Sequence, residues 1–357
     1  MKIITSVLIL LLSSQFISGQ SAVKKIDSIC QSISNKNPEI GISIGFVENG
    51  KEYFFNYGKI SRESNLKADQ NTIYEIGSIT KFFTANLIVQ ANNEGKLKID
   101  DFIDDYLPKE YVLSKEIKGK LKISDLASHQ SGLPDLDIKK QMELNPKQPL
   151  DIGKEAIHSL INENTKLIDY GNYRYSNINF ILMGIILEKA YGKDFETLLK
   201  EKILVPVKME NTLTTSFDVK NKVTGYDYKG VQQDFFNWNS FVAPAGLLKS
   251  NTSDLTKFLK TLLSNKGEIS KATILAENTF YKNTQREIGL GLQMERTDKD
   301  VYFYKTGNTM ACASILAYDK KSNWGIVILL NHNNSGLIAD FININYDEVL
   351  KKKSFSK

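Results

Sequence analysis

Three short groups of residues carry side chains that could do chemistry together. In Gly77-Ser78-Ile79-Thr80-Lys81 a serine and a lysine stand three apart. If Ser78 opens the helix predicted by the apolar spacing that follows, the two share a face and the amine reaches the hydroxyl. A serine hydroxyl is a weak nucleophile at neutral pH and needs a base, which a desolvated lysine can supply. A helix start also brings free backbone N–H groups and the positive end of the helix dipole to the same place, and Gly77 permits a tight entry. The second group, Tyr175-Ser176-Asn177, precedes the apolar helical run Ile178 to Leu187. A phenol held near lysine amines can relay protons, and an asparagine offers both a donor and an acceptor to a substrate amide. The third, Lys305-Thr306-Gly307, ends the apolar strand pattern Val301 to Tyr304. A strand edge beside a cleft can hydrogen-bond an extended substrate. Lys305 and Thr306 would take a carboxylate there, and Gly307 removes a side chain where the substrate backbone must approach. Taken singly, each group also has a plain structural reading: a cap with a surface lysine, a tyrosine at a helix start, a strand running into a turn.

The surrounding elements must bring these groups together. Residues 22–35 read as a helix, and Ile42 to Val47 as a strand with Ile42, Ile44 and Phe46 on one face. Asn49-Gly50 is a two-residue hairpin signal, with Lys51 to Tyr57 as the partner strand. Phe82 to Ala91, Ile152 to Ile161, Asn177 to Lys189, Phe195 to Ile203 and Leu337 to Leu350 have helical spacing. Ser253 to Leu263 is a further helix, with Thr252 or Ser253 as its N-cap. Ile288 to Met294, Val301 to Tyr304, Ala311 to Tyr318 and Trp324 to Leu330 read as strands. Strands near both ends with helices between predict an α/β fold of the α+β type: a sheet domain from residues 20–95 and 235–357, interrupted by a mostly helical domain at 96–234. A cleft between two such units is where sites commonly sit.

Composition narrows the function classes. The chain has 357 residues, 41% hydrophobic and 24% charged, ordinary globular usage that excludes a disordered or fibrous chain. The net charge of +5 comes from lysine, since Arg62, Arg174, Arg286 and Arg296 are the only arginines. That argues against a nucleic-acid reader, which leans on arginine forks. Residues 1–19 read as an export signal: Lys2, an apolar run from Ile3 to Leu12, then small residues at Ser18-Gly19. The run is too short to span a bilayer, which predicts cleavage without a stable membrane anchor and a periplasmic or extracellular protein. Cys30 and Cys312 could pair in such a compartment, but the simpler reading is two small buried hydrophobes. His129, His158 and His332 are scattered, with no H-E-x-x-H, so neither a metal nor another cofactor is expected.

In the order S-x-x-K, Y-x-N, K-T-G, on a helix, a helical insertion and a late strand, the three groups become specific. Here the chain resembles the penicillin-recognising serine hydrolases: class C β-lactamases, D-alanyl-D-alanine carboxypeptidases and related esterases. The segments Tyr74 to Lys81, Ile123 to Leu126 with His129 to Pro134, Ala245 to Ser250 with Asp254-Leu255, Ile288 to Gly291, and Ile328 to Asn331 extend the resemblance over most of the chain. The resemblance implies a five-stranded antiparallel sheet flanked by helices, plus an inserted, mostly helical domain. It implies Ser78 as the acylated nucleophile, Lys81 as its activating partner and Tyr175 as the proton-relaying base. Asn177 would hold the acyl side chain, and Lys305 and Thr306, beside Gly307, the substrate carboxylate. The backbone N–H groups of Ser78 and Asn308 would form the oxyanion hole. The loop of His129 is a structural landmark in the family, so neither His129 nor Glu75 is given a catalytic role. Tyr175-Ser176-Asn177 is commoner in the peptidase and esterase branches, whereas Lys305 leans toward a β-lactamase or peptidase. The substrate stays open at this point. A β-lactam or D-alanyl-D-alanine-type peptidoglycan stem peptide ranks first, and an ester or D-amino-acid amide is the alternative. A non-catalytic module that binds β-lactams or peptidoglycan is a further one.

Overall fold

The computed structural model describes residues 22–146, 152–214, 218–235, 241–246, 248–297 and 300–351. The export signal expected at 1–19 lies outside the described residues. Among these residues no helix is long and apolar enough to cross a membrane.

Helix α1 (22–35) leads into the hairpin β1 (Ile42–Glu48) and β2 (Lys51–Tyr57). Asn49 and Gly50 both have positive φ, 49° and 77°, as a type I′ turn demands. A short strand β3 (Tyr74–Glu75) is followed by a single turn, Gly77–Ile79, and then α2 (Thr80–Asn93). Ser78 thus sits in the turn that feeds the helix. The middle of the chain holds α3 (Ile123–Ala127), α4 (Ile138–Leu144), α5 (Lys154–Leu160), α6 (Asn177–Tyr191), α7 (Phe195–Leu199) and α8 (Val205–Val207). Short strands β4 (Gly225–Tyr226), β5 (Gln232–Gln233) and β6 (Lys249–Ser250) come next, then α9 (Thr252–Leu263) and α10 (Gly267–Ala276). The last third gives β7 (Tyr281–Lys282), β8 (Glu287–Ile288), β9 (Gln293–Arg296), β10 (Val301–Asn308), β11 (Ala313–Asp319), β12 (Trp324–Leu330) and α11 (Ser335–Asn345).

The main sheet is antiparallel, in the order β2-β1-β12-β11-β10-β9-β8-β7. The five strands expected are its long members, β2 through β10, and three short strands extend it beyond β10. The run Ile288 to Met294, expected as one strand, is broken. The Leu290 N–H donates to Ala276 O and the Gly291 N–H to Ala127 O. The chain leaves the sheet there to bond the ends of α10 and α3.

Side-chain alternation divides the sheet into two buried faces. Ile42, Ile44 and Phe46 pack with Ile326, Ile328 and Ile315 against α1 and α11. Val47, Val327, Leu329 and Leu316 face α2, α9 and α10 on the other side. Every residue of α2 from Thr80 to Ala91 is buried, and its polar members are hydrogen-bonded there: Thr84 donates to Pro244 O, Asn86 to Ile269 O and Gln90 to Asn86 Oδ1. Phe83 stacks on Phe258 of α9 with ring centroids 4.3 Å apart. The N-cap of α9 is Asn251, whose Oδ1 accepts from the Asp254 N–H at 2.8 Å, rather than Thr252 or Ser253. Thr252 instead donates its hydroxyl to Gln70 O. Cys30 and Cys312 are both free and buried, and they belong to different cores.

Candidate active site

Two glycines allow the Ser78 turn and β10 to meet. Gly77 has φ 50°, and a Cβ built on it would lie 2.9 Å from Asn308 O. A Cβ on Gly307 would lie 2.0 Å from Ile76 O. Backbones this close exclude any side chain at either position. Ser314 of β11 ties the junction by donating to Ile76 O at 3.0 Å. The Ser78 turn therefore lies against the Asn308 end of β10, where two converging N–H groups would have to be.

One turn later, Lys81 places its Nζ 3.2 Å from Ser78 Oγ. The amine donates to Ala245 O at 2.5 Å and to Asn177 Oδ1 at 2.8 Å. Lys81 is fully buried. Burial lowers its pKa to about 7, with the Asp135 carboxylate acting in the opposite direction. A neutral primary amine has two hydrogens and one lone pair. With both hydrogens on carbonyl oxygens, the lone pair is left for the Ser78 hydroxyl.

Tyr175 completes the cluster. Its OH is 2.5 Å from Ser78 Oγ, the residue is 39% exposed, and its ring packs on His129 with centroids 4.6 Å apart. Lys81 Nζ and Lys305 Nζ lie 4.9 and 5.3 Å from the centre of that ring. Lys305 is buried, and burial pushes it down to about 8, opposed by Tyr175 and reinforced by Lys81.

His129 supports this arrangement from behind. Its Nδ1 accepts the Ser176 N–H at 3.2 Å, and its carbonyl accepts the Arg174 N–H at 2.8 Å. Burial, then Lys305 and Lys81, hold its pKa well below 6.5, which keeps Nδ1 free to accept. Asn177 is engaged at both ends of its amide: Oδ1 takes Lys81, and Nδ2 donates to Asp135 Oδ2 at 3.3 Å. The amide expected to meet a substrate is thus built into the lysine's surroundings.

The structure separates Lys305 from Thr306. As neighbours on β10 they point to opposite faces. Lys305 turns toward Tyr175, and Thr306 lines a cavity of about 460 Å³ with Ile315 of β11 and Ile338 and Ala339 of α11. Among the described residues, β9 pairs with β10 from Val301 to Tyr304 and no further, so Lys305 to Asn308 presents an edge that an extended chain could join. Sequence reasoning missed Asp135 and the Ala245 carbonyl. The only signal for either is its place beside or within a segment that carries the resemblance. Among the described residues no three His, Cys, Asp or Glu side chains gather as a metal site needs.

Comparison with known proteins finds relatives that cover most of the chain. Protein flp of Staphylococcus aureus (strain MW2) is 26% identical over 331 residues, covering 87% of this chain and 63% of its own length. The chain thus spans less than two-thirds of that relative. A beta-lactamase of Psychrobacter immobilis is 25% identical over 328 residues, covering 82% of this chain and 79% of its own. Among solved structures, a beta-lactamase from Sulfitobacter sp. EE-36 superposes with a TM-score of 0.79 at 21% identity, over 92% of this chain and 99% of that one. An octameric penicillin-binding protein homologue from Pyrococcus abyssi does so at 0.76 and 24%, over 87% and 73%. At these identities the solved structures speak for the fold. The Beta-lactamase family description matches residues 27–351, and with Ser78, Lys81 and Tyr175 assembled on that fold, the chain belongs to the beta-lactamase family, the penicillin-recognising serine hydrolases.

Proposed function

We propose that this chain is an exported serine acyl hydrolase, periplasmic or extracellular, that works through an acyl-enzyme on Ser78. The observation that carries the reading is the position of Ser78 Oγ, 3.2 Å from Lys81 Nζ and 2.5 Å from Tyr175 OH. In the first step Ser78 Oγ attacks the substrate carbonyl carbon, and its proton passes to the Lys81–Tyr175 pair. The oxyanion forms against the backbone N–H groups of Ser78 and Asn308. Collapse breaks the bond to the leaving nitrogen, which takes the proton from Tyr175. Water then attacks the ester on Ser78, gives up a proton to the same pair, and releases Ser78 with its hydroxyl restored. Lys305 binds an anionic group of the substrate, and the Lys305–Asn308 edge pairs with its backbone.

The substrate class supported best is a β-lactam or a D-alanyl-D-alanine-type peptide. Relatives named as beta-lactamases support it, and so does a buried cation at Lys305, because both substrates carry a carboxylate near the scissile amide. The test is incubation of the purified protein with a chromogenic cephalosporin, followed by intact mass, with Ser78→Ala alongside. Rapid colour without a lasting adduct assigns a β-lactamase. A lasting adduct, absent from Ser78→Ala, assigns a penicillin-binding peptidase. No colour and no adduct, with turnover of short acyl esters or D-amino-acid amides, moves the assignment to that branch. Failure with all of these overturns the hydrolase reading in favour of a binding module.

A further inference from the structure

We propose that Asp135 is a positioning residue for this site: its carboxylate holds Asn177 so that Oδ1, and not Nδ2, meets the Lys81 amine. The proposal rests on the reading of Lys81 as the base for Ser78.

Asp135 stands in the loop between α3 and α4, six residues after His129. Its Oδ1 accepts the N–H groups of Asn177 at 2.8 Å and Ile178 at 3.0 Å. These are the first free donors of α6, for which the preceding Ser176 supplies no side-chain cap. A carboxylate at that end of a helix is also favoured by the helix dipole. Asp135 thus caps α6 from a separate segment of the chain and fixes where Asn177 begins.

The second oxygen sets the direction of the amide. Oδ2 accepts from Asn177 Nδ2 at 3.3 Å. An ionised carboxylate only accepts, so the donor end of Asn177 must face it and the acceptor end must face Lys81. Reversing the amide would oppose Oδ1 to a carboxylate and set Nδ2 hydrogens against the amine, two unfavourable contacts for the two now made. With Nδ2 facing it, the Lys81 lone pair would turn toward those hydrogens and away from Ser78 Oγ.

Charge acts in the same place. The groups around Lys81 are the Lys305 ammonium, the Tyr175 phenol, the buried His129 imidazole and the Asp135 carboxylate. Asp135 is the acid among them, and it opposes the effect of burial on Lys81.

The test compares wild type with Asp135→Asn, which keeps the shape, loses the charge and gains a donor at one carboxylate oxygen. Acylation by the chromogenic cephalosporin should slow by about ten- to a hundredfold, the scale that follows small misplacements of reacting groups. A second readout is independent of activity: titration of Lys81 by NMR in protein labelled with 13C at lysine Cε, with Lys81→Met to assign the signal. The midpoint should move to lower pH by about one unit on loss of the opposite charge. Asp135→Glu, which stays an acceptor and an anion, should restore the midpoint. Should Asp135→Asn not fold, Asp135→Ser keeps an acceptor for α6, loses the charge and carries the same expectation. Folded variants with an unchanged Lys81 midpoint and acylation within twofold of wild type overturn the proposal. If wild type itself gives no colour, no adduct on Ser78 and no turnover of short acyl esters or D-amino-acid amides, the hydrolase reading fails separately, and the Lys81 titration still decides the role of Asp135.

Discussion

Acylation of Ser78 should follow a bell-shaped dependence on pH, with each limb set by one buried lysine. Burial holds Lys81 down to about 7 and Lys305 down to about 8. The working form of Lys81 is the neutral amine, whose lone pair takes the Ser78 proton. The working form of Lys305 is the ammonium, which takes an anionic group. The rate therefore rises with pH through about 7, as Lys81 loses its proton, and falls through about 8, as Lys305 loses its own. For two independent groups with these values, about 60% of molecules hold both working forms near pH ~7.5, and about 10% at pH ~6 or ~9. Acylation should drop about sixfold to either side of its maximum. The assay is stopped-flow burst kinetics with a chromogenic cephalosporin across the pH range, repeated on Lys305→Ala. That variant should lose the alkaline limb and keep the acid one. A rate that is flat across neutrality, or that rises only near ~10 as an ordinary lysine requires, refutes the reasoning.

Three further outcomes follow from named contacts. Tyr175→Phe removes the oxygen 2.5 Å from Ser78 and keeps the ring against His129; acylation should fall by about 10²–10⁴ while the urea midpoint stays near that of wild type. Gly307→Ala sets a Cβ 2.0 Å from Ile76 O; β10 or the Ser78 turn must yield, so unfolding should show a loss of about 1–3 kcal/mol and acylation should fall at least about tenfold. Asn251→Ala removes the cap of α9, away from the site; it should lower stability by about 1 kcal/mol in urea unfolding and leave acylation unchanged.

The parts of the site legible in the sequence are those encoded by short spacing. Ser78 and Lys81 meet because three residues make roughly one helical turn, and Gly77 announces the tight turn before them. The hairpin at Asn49-Gly50 and the alternating face of β1 are local in the same sense. What was not legible depends on partners far along the chain. Ala245 acts through a backbone carbonyl, which its residue type does not reveal. Asp135 acts across forty-two residues on Asn177. The break at Gly289 to Gly291 comes from bonds to the ends of α3 and α10, which no strand pattern contains. The divergence of Lys305 and Thr306 is different. It follows from simple alternation once the strand is carried through to Asn308 rather than stopped at Tyr304.

The central claim is that Lys81, neutral and aimed at Ser78 by Ala245 and Asn177, is the base that makes Ser78 a nucleophile. The most direct measurement is the acylation of Lys81→Ala by the chromogenic cephalosporin near pH ~7.5, read as colour released together with intact mass and set beside wild type, with circular dichroism to establish that both are folded. The account predicts a folded protein with acylation lost or slowed by orders of magnitude. A folded Lys81→Ala that acylates at close to the wild-type rate would contradict it.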